Sequence, residues 1–225
     1  MQDINIRDLD GVTPQYQGLV DKSKTYDFTA VQEANIFVSL GKNSEDVPMF
    51  LLNACNFPNI KDIDLVLMYI IKVLEPIVIS GPYILFYSHA LLKQECCPDR
   101  NWITQTYEIL PRNYKKNLKS IYILHPSSWL KFLFLAMSPF LSEKVWNKIE
   151  YLDYIQEIPN YYNKEYIVSL IPKAVKDHDE ELLETPELTE RVVDTLDTLG
   201  KELLSTFSTT FNLFAPTQNP SNWSS

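Results

Sequence analysis

The chain has 225 residues, of which 45% are hydrophobic and 22% charged, a globular composition that excludes a wholly disordered or coiled-coil chain. Its formal net charge of −9 disfavours nucleic acid as a partner, because phosphate contacts need a cationic face. Three cysteines are too few for a disulfide framework, and the opening residues show no signal-peptide pattern. We therefore expect a cytoplasmic protein with at most peripheral membrane contact.

The charge is unevenly distributed along the sequence. Residues 1–99 carry a net −6, residues 100–176 a net +5, and residues 177–225 a net −8. A cationic region between acidic flanks favours three kinds of partner: an acidic protein surface, an acidic lipid headgroup, or the acidic tail of the chain itself.

The first third of the chain predicts a polar lead-in followed by a hairpin. Residues 1–34 contain turn formers and no sustained period, so we expect a flexible or loosely packed segment. Short apolar runs at residues 36–40 and 48–52 flank a polar turn and predict two strands of one sheet. Apolar residues at helical spacing over residues 62–74 predict a helix that Pro76 ends.

Strands and helices then alternate. Residues 77–87 are continuously apolar and predict a buried strand, and residues 101–110 predict an amphipathic helix stopped by Pro111. A cationic turn over residues 112–117 precedes three further predicted elements: a strand at 120–124, a helix at 127–137 and an edge strand at 148–152. This alternation predicts an α/β fold with a mostly parallel sheet flanked by helices.

The C-terminal region predicts one amphipathic helix within residues 181–215 and a disordered tail at 216–225. Thr185-Pro186-Glu187 is a helix-start pattern, and an apolar stripe runs from Leu188 to Phe214. Three roles stay open for this stripe: packing over the α/β domain as a lid, pairing with a second copy or a partner helix, and contact with a membrane surface.

Several segments between about residues 35 and 180 resemble one known family. They are Val47-Pro48, Ala54-Cys55-Asn56-Phe57-Pro58, Tyr83-Ile84-Leu85-Phe86-Tyr87-Ser88-His89, Tyr114-Lys115-Lys116-Asn117-Leu118-Lys119, His125-Pro126-Ser127-Ser128-Trp129, Ile171-Pro172 and residues 175–177. In this order they resemble the divergent CRAL-TRIO domain called the BCH domain, which is found beside RhoGAP domains and in related scaffold proteins.

The resemblance implies a non-catalytic adaptor that binds protein partners, namely small GTPases of the Rho type or their regulators, and other copies of itself. The candidate partner-binding residues are Arg112, Lys115, Lys116, Lys119 and His125. The alternative function that it implies is a lipid-binding protein that holds a phospholipid or another hydrophobic ligand in an apolar pocket. The candidate pocket residues are Tyr122, Trp129, Phe132 and Phe134.

No catalytic or metal-binding constellation is predicted. Ser88 and His89 are adjacent in a strand and point to opposite faces, so they cannot act together as nucleophile and base. The acidic run around His178 offers no second His or Cys, and the cysteines lack the spacing of a zinc site. We therefore expect no enzymatic activity, no cofactor and no metal ion.

Overall fold

The computed structural model describes residues 9–137 and 142–184. The chain divides into two units, Met1–Glu184 and Thr185–Ser225, and all the described residues belong to the first. The predictions for residues 185–225, including the apolar stripe and its three roles, lie outside the described residues.

The elements follow the alternation that the sequence predicts. The strands are β1 (Phe37–Lys42), β2 (Pro48–Asn53), β3 (Tyr83–Ser88), β4 (Leu118–Leu124) and β5 (Ile149–Leu152). The α-helices are α1 (Pro14–Thr25), α2 (Thr29–Glu33), α3 (Ile63–Ser80), α4 (Arg100–Ile109), α5 (Arg112–Asn117), α6 (Ser128–Met137), α7 (Glu143–Trp146), α8 (Lys164–Leu170) and α9 (Lys173–Glu184).

The five strands form one sheet in the order β1-β2-β3-β4-β5. The hairpin pair β1 and β2 is antiparallel, and β2 to β5 are parallel to one another. The predicted α/β fold class with a mostly parallel sheet is therefore confirmed. Because β2 to β5 run in the same direction, all their carboxyl ends lie at one edge of the sheet and all their amino ends at the other.

Each face of the sheet is covered by a different set of helices. On one face Phe50 and Tyr83 pack against α1 and α3, and Ile123 packs against α6. On the other face Phe86 and Tyr122 pack against the segment that contains α8 and α9. Alternate residues of each strand therefore enter two separate cores.

The lead-in differs from the loosely packed segment predicted for residues 1–34. Residues 14–25 form α1, and its Tyr16 and Val20 are completely buried against α3. The Thr13 hydroxyl accepts a hydrogen bond from the amide of Tyr16 at 3.1 Å, and Pro14 takes the first helical position. These two residues, which are among the turn formers of the lead-in, therefore begin a helix. Since α1 buries only a few side chains, its sequence shows too little apolar periodicity to reveal the helix.

Four other elements differ from their predicted bounds or type. Helix α3 continues through Pro76 to Ser80, because Val78 is completely buried and extends the apolar stripe of the helix. The strand predicted from residue 77 therefore begins only at Tyr83. The cationic turn is the short helix α5. Helix α9 runs to Glu184, so the domain boundary predicted at residue 180 falls inside a helix.

Candidate functional site

Helix α5, which carries Lys115 and Lys116, and the start of β4, which carries Lys119, lie at the amino-terminal edge of the sheet. Its Tyr114 is buried, and the backbone carbonyl of Tyr114 accepts a hydrogen bond from the Tyr83 hydroxyl at 2.9 Å. At the end of the helix, the Asn117 amide donates to the carbonyl oxygen of Val78 at 2.6 Å, within the last turn of α3. These bonds fix which side of α5 faces solvent.

A second set of contacts joins α5 to α1. The hydroxyls of Tyr16 and Tyr114 lie 3.0 Å apart, and Tyr16 donates to Glu75 of α3 at 3.3 Å. Burial raises the pKa of both phenols and also that of the Glu75 carboxyl group. The phenols therefore stay neutral hydrogen-bonding groups. Helix α1, which the sequence does not predict, thus packs against the buried side of α5.

Three of the predicted partner-binding cations are exposed at this edge of the sheet. The Arg112 guanidinium pairs with Asp10 at 3.4 Å, and both side chains are well exposed. Lys119 pairs with Glu45 of the turn between β1 and β2, again with both side chains exposed. Lys116 is exposed and forms no ion pair with any residue that the structure describes. Exposed ion pairs are worth at most about 1 kcal/mol, so a partner can replace them at little cost.

Lys115, the fourth predicted lysine, is folded back onto α4. Its ammonium donates to the carbonyl oxygen of Tyr107 at 2.7 Å and lies 4.3 Å from the centre of the Tyr107 ring. Burial lowers the pKa of Lys115. The Lys115 ammonium thus has a hydrogen-bond partner within the protein and holds α5 against α4.

The structure adds Lys148, which the sequence analysis did not assign to this site. Its ammonium donates to the carbonyl oxygens of Lys115 at 2.9 Å and Lys116 at 3.0 Å, so it caps the C-terminal end of α5. Burial lowers the pKa of Lys148. No local pattern reveals this contact, because more than thirty residues separate the partners. We call the three exposed residues Arg112, Lys116 and Lys119 the cationic surface.

His125, the fifth predicted partner-binding residue, lies at the opposite edge of the sheet. It follows β4 with a φ of 51°, a left-handed conformation, and it is only 6% exposed. Its Nε2 donates to Oδ1 of Asp179 at 2.7 Å, and the same oxygen accepts the amide proton of Ile155 at 2.8 Å. Although Asp179 favours the charged ring, burial lowers the pKa of His125. The side chain is therefore inaccessible to a partner and joins β4 to α9.

Asp179 is a structural residue that the sequence analysis missed. The resembling segment at residues 175–177 ends two residues before Asp179, so the sequence points to this part of the chain but not to this carboxylate. Val175 is completely buried and Asp179 is 7% exposed, so both face the interior from the same side of α9.

A second histidine is buried at the same edge. The Tyr87 hydroxyl is hydrogen-bonded to Nδ1 of His89 at 3.0 Å, and Nε2 of His89 is hydrogen-bonded to the Ser127 hydroxyl at 2.8 Å. Ser127 in turn accepts the amide proton of Leu130 in the first turn of α6. Burial lowers the pKa of His89 to about 4, so the ring is neutral at physiological pH and both its nitrogens are satisfied.

Five buried polar residues thus gather where the parallel strands end. We call them the carboxyl-edge cluster: Asn53, Ser88, His89, His125 and Asp179. Open α/β sheets place their ligands at this edge, but here α9 and the start of α6 lie over it and are hydrogen-bonded to the histidines. The contacts made by the two histidines in this cluster are structural ones.

The four predicted pocket residues do not share one face. Tyr122 is buried on the α8 side, where its ring stacks on Phe86 at 4.9 Å and its hydroxyl meets that of Tyr161 at 3.0 Å. Trp129, Phe132 and Phe134 belong to α6, which packs on the other face. Trp129 is 46% exposed, while Phe132 and Phe134 are half-buried. The structure therefore does not bring these four side chains together around one cavity.

Within residues 9–137 and 142–184, no three His, Cys, Asp or Glu side chains are grouped so that they can hold a metal ion. None of the helices described is both long enough and apolar enough to cross a bilayer.

Comparison with known proteins places these features in a family context. The divergent CRAL/TRIO domain family matches residues 47–181, which include β2 to β5, the cationic surface and the carboxyl-edge cluster. The chain is 31% identical over 176 residues to "Rho GTPase-activating protein gacY" of Dictyostelium discoideum, a match that covers 77% of this chain and 24% of that protein.

Two further relatives match in the same way. The chain is 29% identical over 175 residues to "Protein GDAP2 homolog" of Drosophila melanogaster, covering 76% of this chain and 32% of that protein. It is 32% identical over 139 residues to human "Rho GTPase-activating protein 1", covering 61% of this chain and 31% of that protein. The match therefore spans only about a quarter to a third of the length of each of these relatives.

Proposed function

The chain belongs to the divergent CRAL/TRIO domain family, and we propose that it is a non-catalytic adaptor that binds a protein of the Rho GTPase pathway through its cationic surface. Two of the relatives described above are named as Rho GTPase-activating proteins, which supports a role in that pathway. The partner is a small GTPase of the Rho type or one of its regulators, and it presents an acidic surface.

The cationic surface is the observation that carries this proposal. It presents Lys116 without an ion pair among the described residues, and Arg112 and Lys119 in exposed pairs that cost little to exchange. The flanking parts of the sequence are acidic, since residues 1–99 and 177–225 are both net negative. A local positive patch on an acidic protein orients an acidic partner and raises its association rate.

The proposal is tested by reversing the two most accessible lysines. We expect Lys116→Glu combined with Lys119→Glu to weaken capture of purified Rho-type GTPases, or of their regulators, by about fivefold or more at low ionic strength, because like charges then face each other across the interface. Lys115 and Lys148 are left unchanged in this variant because their ammonium groups hold α5 in place.

A matched control carries the same change of net charge elsewhere. Lys61 is exposed and forms no ion pair within the described parts of the chain, and Lys173 is exposed and paired with Asp177. Lys61→Glu combined with Lys173→Glu therefore matches the first variant in both respects. We expect this control to capture the partner nearly as well as the unmodified protein. Equal capture by all three proteins would refute the cationic surface as the binding site.

The proposal also includes binding of the chain to a second copy of itself, which the family resemblance implies. Light scattering on the same samples reports it directly, because the mass of one chain is 26.2 kDa. A mass that stays at this value across the concentration range used for capture would remove self-association from the proposal.

Lipid binding is the alternative function, and one measurement distinguishes it from the adaptor function. Organic extraction of the purified protein, followed by mass spectrometry, recovers a lipid in about equal molar amount if the chain holds one. Such a recovery supports the lipid-binding alternative, and an extract without lipid supports the adaptor alone. The separation of Tyr122 from the α6 aromatics onto opposite faces of the sheet favours the second outcome.

A further inference from the structure

The carboxyl-edge cluster contains three polar atoms whose hydrogen bonds are not made by the protein. Within the described residues, the buried side-chain atoms without a partner are Oδ1 of Asn53, Oγ of Ser88 and Nδ1 of His125. Asn53 and Ser88 are completely buried, and His125 is 6% exposed. Buried polar atoms are almost always paired with protein or ordered water, so three such atoms at one edge of a sheet need an explanation.

These three residues are neighbours in the sheet. Asn53 ends β2 and is paired across the ladder with Ser88, which ends β3. Ser88 is paired in turn with Leu124, the residue before His125. The three positions therefore lie side by side at the ends of β2, β3 and β4.

Their side chains also lie on the same face. Asn53 follows Leu51 by two residues and Ser88 follows Phe86 by two, and both of these apolar residues pack in the core beneath α8 and α9. The His125 ring turns towards the same side, since it is bonded to Asp179 of α9. Three buried residues, each with an unpartnered side-chain atom, therefore adjoin one another on the same side of the sheet.

The bonds that these side chains already make define what is missing. The Asn53 amide nitrogen donates to the carbonyl oxygen of Asn35 at 3.0 Å, which leaves Oδ1 as an acceptor. His125 donates through Nε2 to Asp179, so its neutral ring presents Nδ1 as an acceptor as well. The Ser88 hydroxyl can donate. The complementary ligand donates two hydrogen bonds and accepts one, which is the bonding capacity of a water molecule.

We propose that one ordered water molecule is a structural ligand at the ends of β2, β3 and β4. It donates hydrogen bonds to Oδ1 of Asn53 and to Nδ1 of His125, and it accepts a hydrogen bond from the Ser88 hydroxyl. Buried waters typically make about three hydrogen bonds to polar groups that the protein leaves unsatisfied. This water extends the hydrogen-bonded chain from Asp179 and His125 to the ends of β3 and β2. The proposal does not depend on partner binding.

A crystal structure of the full chain at about 1.5 Å resolution tests the position directly. The expected result is an ordered oxygen within hydrogen-bond distance of Oγ of Ser88 and of at least one of the two acceptors. Density that shows no ordered molecule at Ser88 would overturn the proposal.

The substitution Ser88→Ala tests the energetic role. If the water bridges the strands, removing the hydroxyl raises the unfolding equilibrium constant by roughly fivefold or more, because the buried water loses the hydrogen bond that it accepts from Ser88. If the hydroxyl is unpartnered, alanine leaves the constant unchanged or lowers it. Urea titration distinguishes the two, and a variant at least as stable as the unmodified protein would overturn the proposal.

Ser23 offers a matched control for this substitution. It is also buried, at 3% exposure, but its hydroxyl donates to the carbonyl oxygen of Val20 at 2.7 Å within α1. We expect Ser23→Ala to change the unfolding constant by less than about threefold, since the better helix propensity of alanine offsets the lost bond. An effect of Ser88→Ala no larger than that of Ser23→Ala would count against the bridging water.

Discussion

The two edges of the sheet place polar groups in opposite ways. At the amino-terminal edge, the cationic surface holds charged side chains in water, and its ion pairs with Asp10 and Glu45 are exposed. At the carboxyl-terminal edge, the carboxyl-edge cluster is buried, and its histidines are hydrogen-bonded to α6 and α9. Exposed charges are stabilised by water and can exchange partners with little change in free energy, whereas a buried polar group that is left unpaired destabilises the fold. We therefore expect binding to be sensitive to the first edge and stability to the second.

The largest effect on stability is expected at Asp179. Its Oδ1 accepts hydrogen bonds from His125 and from the amide of Ile155 in a buried site, so Asp179→Ala leaves two buried donors unpaired. We expect the free energy of unfolding to fall by about 3 kcal/mol, measured by urea titration.

Asp177 on the same helix is the matched control. Its carboxylate pairs with Lys173, four residues earlier, at the surface. Asp177→Ala should cost no more than about 0.5 kcal/mol. Equal costs for the two substitutions would mean that the buried contact at the carboxyl-terminal edge does not stabilise the fold.

The pH dependence of stability is expected to be almost as large. The pKa of His89 is about 4 in the folded protein against an ordinary value of 6.5, so between these values the unfolded chain binds a proton that the folded protein does not. Stability therefore falls as the pH is lowered from about 6.5 towards 4, by about 3 kcal/mol for this residue. The lowered pKa of His125 acts in the same direction.

Urea titrations at a series of pH values measure this dependence. His89→Gln removes the titrating ring, and we expect its stability to change less between pH 6.5 and 4 than that of the unmodified protein. Parallel curves for the two proteins would show that His89 is not held neutral by burial.

A smaller effect separates two adjacent lysines at the amino-terminal edge. Lys115→Glu places a carboxylate against the carbonyl oxygen of Tyr107, so we expect it to lower the free energy of unfolding by about 2 kcal/mol. Lys116→Glu changes an exposed side chain and is expected to cost no more than about 0.5 kcal/mol. Thermal denaturation compares the two variants. A Lys115→Glu protein as stable as the Lys116→Glu protein would place the Lys115 ammonium at the surface with the others.

The sequence predicts those parts of this structure that depend on local pattern. The hairpin and the later strands and helices follow from alternating or helical apolar spacing, which is a property of neighbouring residues. Helix α1 and the end of α3 were missed because burial against a distant element decides them: Tyr16 and Val78 are both completely buried in the same core. A proline inside a helix is tolerated when such packing offsets the lost backbone bond.

The candidate site divides in the same way. The cationic residues of α5 form a local run and were predicted, but the inward position of Lys115 and the approach of Lys148 depend on contacts with Tyr107 and with the end of α5. His125 was noticed at the end of a strand, whereas its partner Asp179 lies 54 residues away in the sequence. Composition and spacing do not encode which distant groups meet.

The ionic-strength dependence of partner binding tests the central claim most directly. With purified Rho-type GTPases, or their regulators, as partners, the affinity of the unmodified protein should fall steadily as salt rises from about 50 mM to 500 mM, because exposed charges are screened over about 10 Å or less above 0.1 M. The Lys116→Glu and Lys119→Glu protein should bind weakly throughout, with a flatter or reversed salt dependence, and unfold at the same urea concentration. An affinity of the unmodified protein that does not change with salt would contradict the account.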